Sequence, residues 1–228
     1  MYWILFIGVT VLSYAVQASF QKKFQQASEC PLLNGMAGRE VAVRMLADHG
    51  IRDVKVTSTP GQLTDNFNPT NKTVNLSQAV YAQTNVAAAA VAAHECGHAV
   101  QHAQGYFPVK VRSALVPVVS ITSRIVPFVL LGGMLLINIF PQIMWLGIIL
   151  FGFSTLFSLV TLPVEIDASR RALAWLNRTE IVDLSNQDEA RGALKAAAYT
   201  YVVAALSSLA TLIYYLSIFS GRRNWHTI

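Results

Sequence analysis

Four stretches of the chain are apolar and almost free of charge: residues 2–20, 114–139, 143–162 and 199–220. The second contains one charged residue, Arg124, and the other three contain none. About 20 such residues in a helix cross the roughly 30 Å of bilayer hydrocarbon. Each stretch therefore predicts a membrane-spanning helix. Residues 138–142, with Pro141, leave room only for a short connection, so the second and third spans form a tight hairpin. That hairpin puts segments 21–113 and 163–198 on the same side of the membrane. The first stretch lacks the positive start of a signal peptide and is followed directly by Lys22-Lys23, so it reads as an uncleaved anchor. Arg124 lies within its stretch between Pro117 and Pro127. It either faces the protein interior, marks a later start of the span, or snorkels to the headgroups, and snorkelling is the expectation.

Between the first two spans the pattern changes. Residues 38–49 carry Val41, Met45 and Leu46 at helical spacing, and Gly50 suits the position just past a helix end. Residues 53–57, 62–67 and 73–77 are short alternating runs, separated by Pro60-Gly61 and Asn68-Pro69. They predict a small antiparallel sheet. The run 73–77 could serve as an edge strand to which an extended peptide adds, or as an ordinary inner strand. A long alanine-rich helix is expected from Gln83, ending near Gly105 with Pro108 beyond it. Alanine favours the helix and lets neighbours pack closely.

Composition agrees with this layout. Hydrophobic residues make up 54% and charged residues 13%, which excludes a disordered or nucleic-acid-coating chain. The placement of charge says more than the net +5. Nine Lys and Arg fall in 21–113 and five in 163–198, against Arg222 and Arg223 in the tail. The positive-inside bias puts the polar segments in the cytoplasm. Thiols stay reduced there, so Cys30 and Cys96 should be free.

The alanine-rich helix contains His94-Glu95-Cys96-Gly97-His98, an H-E-x-x-H motif. Positions i and i+4 share one helix face, where two imidazoles can bind one Zn²⁺. Glu95 need not ligate and suits the role of general base. Gly97 would allow another element to approach the site closely. His102 is one turn too far along to be an easy third ligand. Cys96, about 200° round the helix from His94, should point away. After the third span come Glu165 and Asp167, with Pro163 expected in the first turn of a new helix. Either carboxylate could complete the site, or both could simply complement the helix dipole. Glu180, Asp183, Asp188 and Glu189 are further acidic candidates.

Asn75-Leu76-Ser77, Val80-Tyr81, the stretch from Val91 through the motif to His102, and Glu165-Ile-Asp-Ala-Ser-Arg-Arg-Ala-Leu173 resemble the YugP-type membrane zinc metallopeptidases of bacteria. The resemblance covers nearly the whole chain. It implies a gluzincin-like site with His94, His98 and Glu165 as zinc ligands and Glu95 as base. Ser169 stands where many such enzymes have Asp, so Asp167 or an Arg is expected to support a ligand.

The expected protein is mostly α, a multi-span helical membrane protein with a small α+β zincin-like cytoplasmic part. Its expected organisation is a transmembrane anchor (1–20), a cytoplasmic metallopeptidase segment (21–113), a transmembrane hairpin (114–162), a cytoplasmic helical segment carrying the third ligand (163–198), and a transmembrane helix with its tail (199–228). The expected function is zinc-dependent endopeptidase activity at the cytoplasmic face of a bacterial plasma membrane. The partners would be a peptide or protein substrate and the lipid bilayer, with no nucleic acid. The rival is a non-catalytic zinc-binding membrane protein whose site is closed by a fourth protein ligand, for which Cys96 is the donor to test.

Overall fold

A computed structural model describes residues 2–223. The rest of the expected tail, 224–228, lies outside the described residues, as do the side chains of Tyr2, Leu5, Arg222 and Arg223. The elements in chain order are α1 (Tyr2–Glu29), α2 (Gly38–Asp48), β1 (Lys55–Thr59), β2 (Asn66–Asn68), β3 (Thr73–Ser77), α3 (Gln78–Tyr81), α4 (Val86–Ala103), α5 (Phe107–Leu135), α6 (Pro141–Arg178) and α7 (Gln187–Arg223). This is the expected mostly helical chain with a small α+β part. It divides into two units, one of Met1–Ser13, Lys110–Leu162 and Tyr201–Ile228, the other of Tyr14–Val109 and Pro163–Thr200.

The second unit is built around α4. Asn85 caps the helix, its side chain accepting a hydrogen bond from the Ala88 N–H at 2.8 Å. Ala87, Ala88, Ala89, Ala90, Ala92 and Ala93 are all buried, and side chains this small let the neighbouring backbones come close. The apolar face of α2, with Val41, Ala42, Met45 and Leu46, is buried in the same core. Burying each of the larger of these side chains contributes about 1.5–3 kcal/mol. α2 ends as its sequence predicts, at Gly50 with φ +70°. Further along, Trp175 of α6 donates its indole N–H to Asp48 at 2.9 Å, tying α6 to the end of α2.

Two expectations need correction here. The sheet is mixed rather than antiparallel: its order is β1-β3-β2, with β1 parallel and β2 antiparallel to β3. β3 is therefore the central strand, buried through Val74 and Leu76, and cannot accept an added strand. The free edges belong to β1 and β2. Pro163, moreover, does not start a helix. It lies inside α6, which runs unbroken from Pro141 to Arg178. Glu165 and Asp167 are thus mid-helix, and the helix-dipole account of them fails. Proline costs a helix one backbone hydrogen bond, and packing of a long apolar helix can outweigh that.

The first unit contains the apolar parts of α5, α6 and α7, the three helices among the described residues long and apolar enough to cross a membrane. Only 17%, 22% and 11% of their most apolar windows is buried in the protein, which leaves the remainder for lipid. The stretch 2–20 forms the first part of α1, with Trp3, Ile4, Phe6, Ile7 and Val11 exposed. α5 and α6 make the expected hairpin. A Cβ on Gly133 would lie 2.7 Å from the Met144 Cα, and one on Gly147 would lie 2.7 Å from Leu130 Cδ2. Val126, Leu130, Met144 and Ile148 are buried at this seam. α7 joins through Trp145 stacked on Phe219 at 5.0 Å and through the Thr155 and Ser208 hydroxyls at 2.8 Å.

Candidate metal centre

Within the second unit, α4 crosses α6 at Gly97. A Cβ there would sit 2.7 Å from the Ala168 carbonyl oxygen and 3.2 Å from its Cα, so no larger residue fits. This contact fixes what faces what. His94 and His98 lie on one face of α4, with ring centroids 4.8 Å apart. Glu165, one turn before Ala168 on α6, meets them: its Oε2 is 3.2 Å from His94 Nε2 and 3.5 Å from His98 Nε2. One ligand atom from each of the three residues lies within 4.8 Å of the others. The Glu165 side chain is only 4% exposed. The two segments expected to share one side of the membrane, 21–113 and 163–198, thus meet in this cluster.

The far nitrogen of each imidazole is also engaged. Ser169 Oγ lies 3.2 Å from His94 Nδ1. His98 Nδ1 lies 3.1 Å from Gln101 Oε1. The Gln101 amide nitrogen donates to the Val164 carbonyl at 2.8 Å and to Asp167 Oδ2 at 2.9 Å. Both of those partners are acceptors only, so the amide cannot be flipped. Its oxygen must face His98 and accept from Nδ1–H, which leaves the Nε2 lone pair of His98 directed at the cluster. Asp167 is held in turn by Arg171 Nε, while Arg171 Nη1 reaches Gln104 Oε1 at 2.6 Å and the guanidinium lies over the Tyr106 ring.

This chemistry fits a zinc ion. Two imidazole nitrogens and one carboxylate are the donor set of an open, catalytic zinc site, and each imidazole carries the outer hydrogen bond that orients a ligand.

Glu95 is buried next to the cluster. Burial raises its carboxyl pKa, and the charges of Glu165 and Asp65 add to the rise, while His94 and His98 pull the other way. A carboxylate poised in this way is suited to take and return a proton. At His98, burial favours the neutral ring, but the hydrogen bond to Glu165 and the charges of Glu95 and Glu165 outweigh it and raise the pKa.

The remaining candidates fall elsewhere. His102 is exposed and packs edge-on against Phe67 of β2 at 5.9 Å. Cys96 points away as its position predicts: it is fully buried, with its thiol 3.5 Å from the Ala42 carbonyl. Cys30 and Cys96 are both free. Glu180, Asp183, Asp188 and Glu189 are not members of the cluster. Two participants escaped the sequence reading. Ser169 itself, and not a replacement for it, contacts His94. Gln101 had one available signal, a polar residue one turn beyond His98 on the helix face that carries both histidines.

A helix-borne pair of imidazoles thus faces a buried carboxylate in a chain that has, among its described residues, three helices long and apolar enough to cross a membrane. The chain belongs to the family described as "Putative neutral zinc metallopeptidase", whose profile matches residues 2–220. It is 38% identical over 224 residues, covering 96% of this chain and 99% of the relative, to a protein of Bacillus subtilis (strain 168) named "Putative membrane protease YugP". No solved structure matches.

Proposed function

We propose that this protein is a membrane-bound zinc endopeptidase with its site at the cytoplasmic face of a bacterial plasma membrane. One observation carries the reading: His94 Nε2, His98 Nε2 and Glu165 Oε2 converge on one point beside a buried Glu95. In this reading His94, His98 and Glu165 hold the metal. A zinc ion bound there supplies Lewis acidity, polarising the scissile carbonyl and making water a nucleophile near neutral pH. The Glu95 carboxylate accepts a proton from the attacking water and delivers it to the leaving amide nitrogen. Gln101 and Ser169 orient the two imidazoles through their far nitrogens.

The free edge of β2 is the candidate platform for substrate. Its Phe67 lies against His102 of α4, so a peptide paired along β2 would run beside the motif helix. The cytoplasmic orientation rests on fourteen positive residues in the polar segments against two in the tail. A non-catalytic zinc protein would need a fourth protein ligand. Cys96 is turned to Ala42, and among the described residues the cluster has three members.

The test is casein cleavage by the purified full-length protein, with zinc content measured on the same sample. Wild type should hold about one zinc per chain and cleave casein, as expected for an open three-ligand site. Glu95→Gln should keep the metal and lose at least about 10³-fold in rate. A Glu95→Gln protein that lost zinc but kept its residual rate would remove Glu95 from the proposed role.

A further inference from the structure

The hairpin of α5 and α6 sets the membrane depth of Arg124. Gly133 packs on Met144, and Leu130 packs on Gly147. The two helices run antiparallel, so counting nine residues back from Gly133 and nine on from Met144 brings Arg124 level with Phe153. Phe153 is at the middle of the uncharged run 143–162. Twenty helical residues span about 30 Å, so Arg124 is about 15 Å from either edge of the hydrocarbon. An extended arginine side chain reaches only about 7 Å from its Cα by standard bond lengths. Snorkelling, the expectation from sequence, is too short to bring this charge to the headgroups.

Arg124 does not face the interior either. It is exposed on α5, with no ion-pair partner among the described residues. The surface around it is not a plain lipid face. Pro117, Ser120, Arg124, Phe128 and Leu131 recur at helical spacing and are all exposed. Pro127 has no N–H, so the Ser123 carbonyl beside Arg124 lacks its usual helical donor. A cation and a freed carbonyl at mid-bilayer require polar partners. A second copy of this chain brings no acidic side chain, because residues 2–20, 114–139, 143–162 and 199–220 contain no Asp or Glu.

We infer that this face of α5 docks a transmembrane helix of another protein that carries a carboxylate near its midpoint, paired with Arg124. This inference does not depend on the peptidase reading.

The experiment uses the full chain, donor-labelled, in phosphatidylcholine vesicles. The probe is an acceptor-labelled host helix of leucine and alanine, about 23 residues long to span the bilayer, with Asp or Leu at its centre. Energy transfer should show the Asp helix associating at least about tenfold more tightly than the Leu helix. Arg124→Leu should erase that preference, and Arg124→Lys should keep part of it. The inference is overturned if the two probes bind wild type equally, or if the preference survives in Arg124→Leu. It is equally overturned if an Arg124-dependent association of the chain with itself excludes the Asp probe. Loss of the preference on adding phosphatidylglycerol would overturn it too, by showing that a lipid phosphate occupies Arg124.

Discussion

Two glycine crossings organise this molecule, and they serve opposite environments. At Gly97 the backbone of α4 comes against that of α6 at Ala168, and at Gly133 the backbone of α5 comes against that of α6 at Met144. The steric device is the same in both, a missing Cβ that lets two helices touch. The surroundings differ. Beside Gly97 lie His94, His98, Glu95 and Glu165, with an outer layer of Gln101, Asp167, Ser169 and Arg171 hydrogen-bonded to them or to one another. Beside Gly133 the buried side chains are Val126, Leu130, Met144 and Ile148, with partly buried hydrophobic residues such as Ile137 and Phe151 packed against them. Close approach is therefore not itself a sign of function. In the membrane it gains packing where no hydrophobic force drives helices together. In the polar unit it sets ligand distances, and every buried polar atom drawn into the crossing needs a named partner.

Of the changes that probe the two crossings themselves, adding a side chain at the polar one should have the largest effect. Gly97→Val places atoms against the backbone of Ala168, which cannot move aside as a flexible side chain can. α4 and α6 must separate, carrying Glu165 away from both histidines. Zinc affinity should fall by more than about 100-fold, since even the loss of an outer-layer partner costs about 10–100-fold. Near-normal zinc uptake by this variant, measured by competition with a chromogenic chelator, would show that the crossing does not set the site.

A smaller effect sharpens the account of the outer layer. Gln101→Leu removes the acceptor that fixes the His98 ring and leaves Asp167 and the Val164 carbonyl each short of a donor. Zinc affinity should drop by about 10–100-fold with the helical circular dichroism unchanged. Unaltered affinity would mean that the Gln101–His98 hydrogen bond does not hold the ligand.

The membrane crossing should respond least, and only at one of two adjacent positions. Gly133→Ala meets Met144 backbone atoms at under 3 Å and should destabilise the hairpin by about 1–3 kcal/mol. Gly132→Ala meets nothing within 4 Å and should stay within about 0.5 kcal/mol of wild type. Thermal denaturation in detergent distinguishes the two. Equal effects would show that the α5–α6 seam lies elsewhere.

Features that depend on residues near in sequence were legible beforehand. The motif helix, the turn of Cys96 away from the cluster, the close approach at Gly97 and the α5–α6 hairpin all follow from helical periodicity and loop length. Features set by distant pairings were not. The parallel β1–β3 pairing joins strands with β2 between them in sequence, and short alternating runs carry no information on which neighbour each takes. The continuation of α6 through Pro163 reflects packing over a long helix, which overrides the local signal for a new helix start there. The His98–Gln101–Asp167–Arg171 chain spans α4 and α6, and nothing in the order of residues aligns those helices.

The central claim is that Glu165, rather than Asp167, completes the metal site, and zinc affinity tests it most directly. Glu165 Oε2 faces both Nε2 atoms, whereas Asp167 reaches the cluster only through Gln101. Competition titration of the full-length protein should show Glu165→Ala binding zinc at least about 10³-fold more weakly than wild type, since it leaves a two-histidine site. Asp167→Asn should lose only about 10–100-fold. Affinities in the reverse order, or a Glu165→Ala protein that binds zinc as tightly as wild type, would contradict the account.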